Sequence, residues 1–256
     1  MERLICVVIG YLFGLFQTGY FYGKLKHIDI RQHGSGNAGT TNALRTLGWT
    51  AGAITFLGDC LKCVAAVAVV YWLYGSTHDN ISLLAMYAGM GAVLGHNFPF
   101  YLKFKGGKGI AATAGLILAT NPIMMLIAAI VFILVVAVTR YVSLGSLILV
   151  VLFLAEVIVY GQMGGFSLTQ PELYEMYMIA FVLMLMAFYR HRANIKRLLN
   201  GTENKFGADM KTKYRQEDMA WQKQASWEPE AGEQRWRYYC IKMGMRLLCG
   251  QSTMTR

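Results

Sequence analysis

Charged side chains are what this chain has least of. Only 15% of its 256 residues are Asp, Glu, Lys or Arg, against about 25% in soluble domains. Acids are the scarcer kind, 14 against 24 Lys plus Arg, which leaves a formal charge of +10. With 55% hydrophobic residues and a mean hydropathy of +0.39, the shortage indicates a membrane-embedded chain that keeps its charges in loops. A basic soluble nucleic-acid binder would spread Lys and Arg throughout and would have no long apolar runs, so nucleic acid is excluded as a partner. Cysteine offers no framework either. Cys60 and Cys63 form a lone CxxC, and no further pair of ligands stands near enough for zinc, so no metal site is expected. The N-terminal apolar stretch has one early basic residue, Arg3, offset by Glu2, and lacks a clear cleavage site. It reads as a first membrane span and not as a signal peptide.

What the chain has in plenty is apolar runs, at about 3–22, 50–74, 81–98, 110–120, 122–138, 142–161 and 174–189. A span needs roughly 20 residues at a rise of about 1.5 Å each. The run at 110–120 covers only about 17 Å, and it is divided from the next by Asn121-Pro122. Charge decides between one kinked helix and a hairpin. Lys24, Lys26, Arg31 and Arg45 follow the first run, Lys103, Lys105 and Lys108 the third, Arg140 the fifth, and Arg190, His191, Arg192, Lys196 and Arg197 the last. The alternate loops, 75–80 and 162–175, carry no Lys or Arg. The positive-inside rule then puts the basic loops in the cytoplasm and the N-terminus outside. Lys108 and Arg140 share a side only if 110–120 and 122–138 turn back at Asn121-Pro122. The expected fold is all-α: a polytopic membrane protein of about seven transmembrane helices, two of them short. Residues 1–204 form the membrane domain. Residues 205–256, with Trp221, Trp227 and Trp236 and no continuous apolar run, read as a cytoplasmic basic and aromatic tail, partly disordered. Its Arg235–Tyr239 stretch could lie on an anionic bilayer.

Three of the basic loops carry chemistry. The first, Gly34–Arg45, reads GSGNAGTTNALR. It matches G-x-G-x-x-G literally, with Asp59 twenty residues after Gly39, yet a dinucleotide site also needs a preceding strand and a βαβ unit, and here a membrane helix precedes. What remains is an anion loop: small residues that expose amides, the donors Ser35, Asn37, Thr40, Thr41 and Asn42, and Arg45 to grip a phosphate bidentately. The second, Gly95–Thr113, reads GHNFPFYLKFKGGKGIAAT. Its Gly-Gly-Lys-Gly lacks the upstream glycine and the Ser or Thr after Lys of a nucleotide P-loop, so kinase or ATPase chemistry is disfavoured. Lys105 and Lys108 around Gly106 and Gly107 instead suggest a phosphate cradle of amides and ammonium groups; His96 beside it is as readily a buried structural histidine. In the third, HRANIKRLLNGTE, His191, Asn194 and Arg197 share one face by helical spacing if the helix continues past Arg190.

Together these motifs, in order over roughly residues 1–205 and with Arg140-Tyr-Val-Ser143 and Gly58-Asp59…Lys62 between them, resemble the PlsY family of bacterial acyl-phosphate:glycerol-3-phosphate acyltransferases. Thr40 stands where the family usually has Ala, Cys63 where Gly often follows the Lys, and the tail beyond Lys205 is longer than usual. The resemblance implies transfer of a fatty acyl group from acyl phosphate to the 1-hydroxyl of sn-glycerol 3-phosphate, giving lysophosphatidic acid and phosphate, at the cytoplasmic face of the bacterial inner membrane and with no cofactor. It implies Ser35, Ser143, His191 and Asn194 as groups that orient the reacting atoms, and Gly36, Asn37, Thr41, Asn42, Arg45, His96, Lys105, Gly106, Gly107, Lys108 and Glu203 as substrate- or phosphate-binding. Two phosphorylated substrates in one small site repel strongly where water is thin, which calls for several cations. An acyl phosphate already carries a good leaving group, so no enzyme nucleophile is needed, and no Ser-His-Asp arrangement has support in the sequence. The proton from the glycerol hydroxyl goes either to a substrate phosphate oxygen or to His191 as general base. The rival class is a transporter of a phosphorylated solute or organic anion. Transporters favour midplane sites on broken helices with repeat symmetry, whereas these motifs cluster on one face and no repeat between halves is visible.

Overall fold

The structure, a computed structural model, describes residues 1–208; the tail expectations, including Arg235–Tyr239, lie outside the described residues. Among the described residues the chain is helical, with ten α-helices and two short 3-10 turns. Six stretches are long and apolar enough to cross a membrane, and Ile110–Thr120 is a shorter seventh. The residues Met1–Phe206 form one compact unit.

The first span is not one helix. α1 (Glu2–Gly14) stops and α2 (Thr18–Leu25) begins after a break of three residues. No proline causes the break. Gln17 is buried at the junction and turns its amide nitrogen to the carbonyls of Gly14 (3.2 Å), Gly95 (3.4 Å) and His96 (3.1 Å). α1 lies against α5 (Ile81–Asn97) through small residues on both sides. A Cβ on Gly10 or Gly14 would run into the α5 backbone at Ala88 and Ala92, and one on Gly91 or Gly95 into the α1 backbone at Val7 and Tyr11. Paired Gly-x-x-x-Gly spacings allow that approach, which is how membrane helices gain contact without a hydrophobic driving force between them.

After the amphipathic α3 (Thr40–Leu47), α4 (Trp49–Tyr74) runs 26 residues through the core. α6 (Ile110–Thr120) and α7 (Pro122–Thr139) are separated by Asn121 in extended conformation. Asn121 accepts from the Ile123 N–H at 2.8 Å, and Pro122, which has no N–H to leave unpaired, fills the first helical position. The pair forms a hairpin. Lys108, just before α6, and Ser143, just after α7, are joined through Asn194 and Glu203 within one hydrogen-bonded group, so the chain between them must go out and come back. At eleven residues α6 spans about 17 Å, while the eighteen of α7 reach about 27 Å. α7 is the outermost helix and shows Ile123, Leu126, Ile130 and Ile133 outward, a surface suited to lipid.

α8 (Val142–Gln162) and α9 (Gln170–Arg190) close the bundle. A Thr169–Glu172 capping box starts α9, and α10 (Arg192–Leu199) follows after a pivot at His191. At the end opposite the basic loops, Arg3 grips Glu175 through two bonds of 2.5 and 2.9 Å, Tyr87 bonds the same carboxylate, and Asn80 bonds Glu172 at 3.1 Å. The two ends thus differ in chemistry: one is tied shut by carboxylates, the other gathers the cations.

Candidate functional site

The site is built from the third basic segment upward. α10 follows α9 with only His191 between them, and that pivot carries the buried imidazole. Asn194 and Arg197 lie one and two turns on, over the start of α8, where Ser143 sits in the first turn. Glu203, after the turn at Gly201, folds back among them. Its Oε1 accepts from Ser143 Oγ (2.9 Å) and Asn194 Nδ2 (2.7 Å), and its Oε2 accepts from Arg197 Nε (2.7 Å). Asn194 Oδ1 in turn accepts from Lys108 Nζ at 2.5 Å. One carboxylate therefore ties α8, α10 and the Lys105–Gly109 loop together. Burial alone would raise the Glu203 pKa, but the bonds from Asn194, Arg197 and Ser143 outweigh it and hold the group below the usual carboxylate range.

Lys108 joins this hub through Asn194. Burial, together with the charges of Arg197, Arg190 and Arg45, brings its pKa down to about 8, with Glu203 opposing. Arg45 of the first loop lies within electrostatic reach of Lys108 in the second. His191 is brought down to about 4, by burial first and then by Lys108. It is neutral at pH 7. Its Nδ1 lies 2.8 Å from the Ala187 carbonyl, which can only accept, so Nδ1 carries the proton and Nε2 the lone pair.

The second loop is organised differently from the cradle its glycines suggest. The Gly106 N–H donates to Asn97 O (3.2 Å) and the Gly107 N–H to His96 O (3.1 Å), so these two amides are committed inside the loop. Their carbonyls are held by Arg190, whose Nη2 lies 2.8 Å from Gly106 O and 2.7 Å from Gly107 O and whose Nε lies 3.1 Å from Gly107 O. Glycine is required at 107 because a Cβ would strike the His96 imidazole. Left exposed beside the hub are Lys105 and, half-buried, Lys108.

In the first loop, Asn42 is buried and fully occupied: its Nδ2 donates to Ile30 O (2.8 Å) and His33 O (3.0 Å), and its Oδ1 accepts from Ser35 N (2.8 Å). It holds the loop's shape. Ser35 and Gly36 are exposed, Asn37 and Thr41 half-buried, and the Ser35 hydroxyl makes no hydrogen bond among the described residues.

Behind the second loop, His96 meets Asp59 and Lys62, two residues of the Gly58-Asp59…Lys62 motif to which the sequence assigns no task. Lys62 Nζ lies 2.6 Å from Phe16 O, 2.8 Å from Asp59 Oδ1 and 2.8 Å from His96 Nδ1, and Thr18 Oγ1 bonds the same Asp59 oxygen at 3.1 Å. Asp59 and Lys62 stand three residues apart in a 26-residue apolar helix. Charges in a span are expensive and rarely idle, and that was the available signal. Arg190 was likewise visible only as one of several juxtamembrane cations. No group of three or more His, Cys, Asp or Glu among the described residues could hold a metal ion.

Comparison with known proteins places this geometry. A family model described as Glycerol-3-phosphate acyltransferase matches residues 4–201. A protein of Clostridioides difficile (strain 630) named glycerol-3-phosphate acyltransferase is 44% identical over 205 residues, covering 80% of this chain and 95% of that protein. One of the same name from Bacillus subtilis (strain 168) is 39% identical over 204 residues, covering 78% and 96%. Among solved structures, the glycerol 3-phosphate form of PlsY, an integral membrane glycerol 3-phosphate acyltransferase, superposes with a TM-score of 0.69 at 33% identity, covering 81% of this chain and 96% of that one. Its lysophosphatidic acid form gives 0.67 at 32%. On the length of the family match and the identity of these relatives, the chain belongs to the glycerol-3-phosphate acyltransferase family.

Proposed function

We propose that this protein transfers a fatty acyl group from acyl phosphate to the 1-hydroxyl of sn-glycerol 3-phosphate, at the cytoplasmic face of a bacterial inner membrane and with its N-terminus outside. The observation that carries the reading is the joined group Lys108–Asn194–Glu203–Ser143 beside a neutral His191, at the end of a membrane bundle where the cations gather. The acyl chain would lie between helices towards lipid, and membrane lipid is the only other partner the reading requires.

In the step itself, the glycerol hydroxyl oxygen attacks the acyl carbonyl carbon and forms the ester bond. The carbonyl carbon–oxygen bond to phosphate breaks, and inorganic phosphate leaves with the bonding pair. The hydroxyl proton must go to a base. His191 at about 4 is a weaker base than a phosphate monoester, whose second pKa is about 6. A substrate phosphate oxygen therefore takes the proton, and the His191 Nε2 lone pair orients the attacking hydroxyl by accepting its hydrogen bond. Lys108, Lys105 and Arg45 offset the charge of two phosphates, and the carbonyl oxygen that becomes anionic lies within their field. The Ser35 hydroxyl and the second Asn194 N–H are the neutral donors in reach, while the Ser143 hydroxyl already donates to Glu203 and serves by framing the hub. Glu203 and Asn42 serve by holding donors in place, since a carboxylate repels phosphate and the Asn42 amide is already bonded. Catalysis by positioning and charge stabilisation suffices, and the buried thiols of Cys6, Cys60 and Cys63 lie outside it. The transporter alternative is disfavoured because the matching family model and relatives are named acyltransferases.

The test is purified protein in detergent or lipid cubic phase with palmitoyl phosphate and glycerol 3-phosphate, measuring phosphate release. Turnover with the acyl phosphate and none with acyl-CoA is the expected result; turnover with acyl-CoA alone would overturn the choice of donor.

A further inference from the structure

The two imidazoles of the site are held in opposite tautomers. An ammonium group has three donors and no acceptor. Lys62 has three acceptors within 2.6–2.8 Å, namely Phe16 O, Asp59 Oδ1 and His96 Nδ1. His96 Nδ1 is one of them, so it is unprotonated and the His96 proton sits on Nε2. That Nε2 lies against Gly107, the residue before Lys108, and makes no hydrogen bond among the described residues. His191 is the reverse case, with its proton on Nδ1 towards Ala187 O and its lone pair on Nε2. One histidine offers a donor beside the Lys108 loop, and the other offers an acceptor.

We propose that Lys62 is a positioning residue that fixes His96 as an Nε2–H donor to an oxygen of the phosphate held at Lys108. The proposal rests on the reading of the site given above. Were the Lys62 ammonium absent, His96 Nδ1 could carry the proton itself and donate to Asp59 Oδ1, 3.5 Å away, leaving Nε2 with a lone pair that would repel a phosphate. The Asp59 carboxylate, held also by Thr18, faces the ammonium and aims it. Phe16 O is available as the third acceptor because the α1–α2 break removes its helical partner. Gln17, from the same break, holds the His96 carbonyl that also receives the Gly107 N–H. Ring and loop are thus fixed by one set of contacts.

Two measurements test this. In protein with 15N-labelled histidine, long-range proton–nitrogen correlation should show His96 protonated at Nε2 and bare at Nδ1, with the Nε2–H signal moving when glycerol 3-phosphate or inorganic phosphate is added. This needs no turnover, so it separates failure of the tautomer assignment from failure of the acyl-transfer reading. An Nδ1–H ring in the unmodified protein would overturn the proposal. In the kinetic arm, Lys62→Met should lower kcat/KM by about 10- to 100-fold, the range for a hydrogen bond to a charged group, through a rise in KM for one phosphorylated substrate. Which KM rises identifies whose phosphate is held. In a His96→Gln background, where an amide N–H stands near the Nε2 position without needing a tautomer lock, adding Lys62→Met should cost less than about threefold. An equal loss in both backgrounds would mean that Lys62 is only structural, and would overturn the proposal. Should Lys62→Met fail to fold, the spectrum of the unmodified protein decides alone.

Discussion

The inner cluster of Asp59, Lys62 and His96 and the rim cluster of Lys108, Asn194, Glu203, Ser143 and Arg197 use the same materials to different ends. Both pair a carboxylate with a lysine and stand beside a histidine. In the inner cluster Asp59 and Lys62 are buried, and all three ammonium donors are met by the protein itself, so that His96 alone keeps a donor to offer. In the rim cluster the carboxylate is sealed, but Lys108 is half open and gives a bond to a neutral amide oxygen, which a phosphate can outbid. A saturated charge fixes geometry, whereas an under-satisfied one binds. The difference lies in how many acceptors the fold supplies to the lysine.

That comparison can be broken at several points. Asp59→Ala strips the inner lysine of its counter-charge and should be the most damaging change, costing about 3–5 kcal/mol as expected when one partner of a buried pair is removed; thermal unfolding in detergent would read it. Retention of the native melting temperature would show that the inner pair carries no structural weight. Lys108→Met removes an ammonium that burial disfavours, so at pH 7 it should not lower the melting temperature, yet it should reduce kcat/KM by about 10²–10³-fold, the scale of losing one pre-placed electrostatic group. Glu203→Gln keeps shape but weakens the bonds to Arg197 and Ser143, and should cost roughly tenfold in kcat/KM, about 1.4 kcal/mol.

The rim should also respond to pH where the inner cluster does not. Lys108 has its pKa at about 8 in the fold against 10.5 ordinarily. The unfolded chain therefore binds more proton than the folded chain between those values, so the Lys108 contribution to stability improves as pH rises from 8 to 10.5. Phosphate binding has the opposite dependence, because it needs the ammonium. Glycerol 3-phosphate affinity should fall as pH rises through about 8, by a factor of about three between pH 7.5 and 8.5, measured calorimetrically. Lys108→Arg should abolish that fall, since guanidinium keeps its proton throughout. An unchanged slope in Lys108→Arg would assign the titration to another group.

What could be read from the sequence follows the range over which each contact acts. The basic loops, the Asn121-Pro122 turn and the α6–α7 hairpin rest on local composition, chain charge and proline geometry, and each is recoverable from neighbouring letters. The role of Gly106 and Gly107 was not. Glycine announces close approach but not which way the amide points, and here His96 and Asn97, about ten residues earlier, take both N–H groups. Arg190 reaches back more than eighty residues to hold the same loop, and Lys62 reaches 46 residues to Phe16. Nothing in either segment specifies its partner, because the pairing is made by α1, α4, α5 and α9 packing side by side. Asn42 shows the limit from the other direction. As a residue type it suits a phosphate loop, yet burial and three internal bonds make it the loop's frame.

The gap between α1 and α2 has a consequence for what the first span can be exchanged for. A continuous helix of equal length and greasiness, grafted in place of Glu2–Leu25, would insert into a bilayer as well as the original. It would also bury the carbonyl of residue 16 in its own hydrogen-bond ladder, taking away the one main-chain ligand that Lys62 has among the described residues. The interruption is therefore not a flaw in an anchor. It makes the N-terminal segment part of the framework around Lys62, which a generic membrane tether cannot replace.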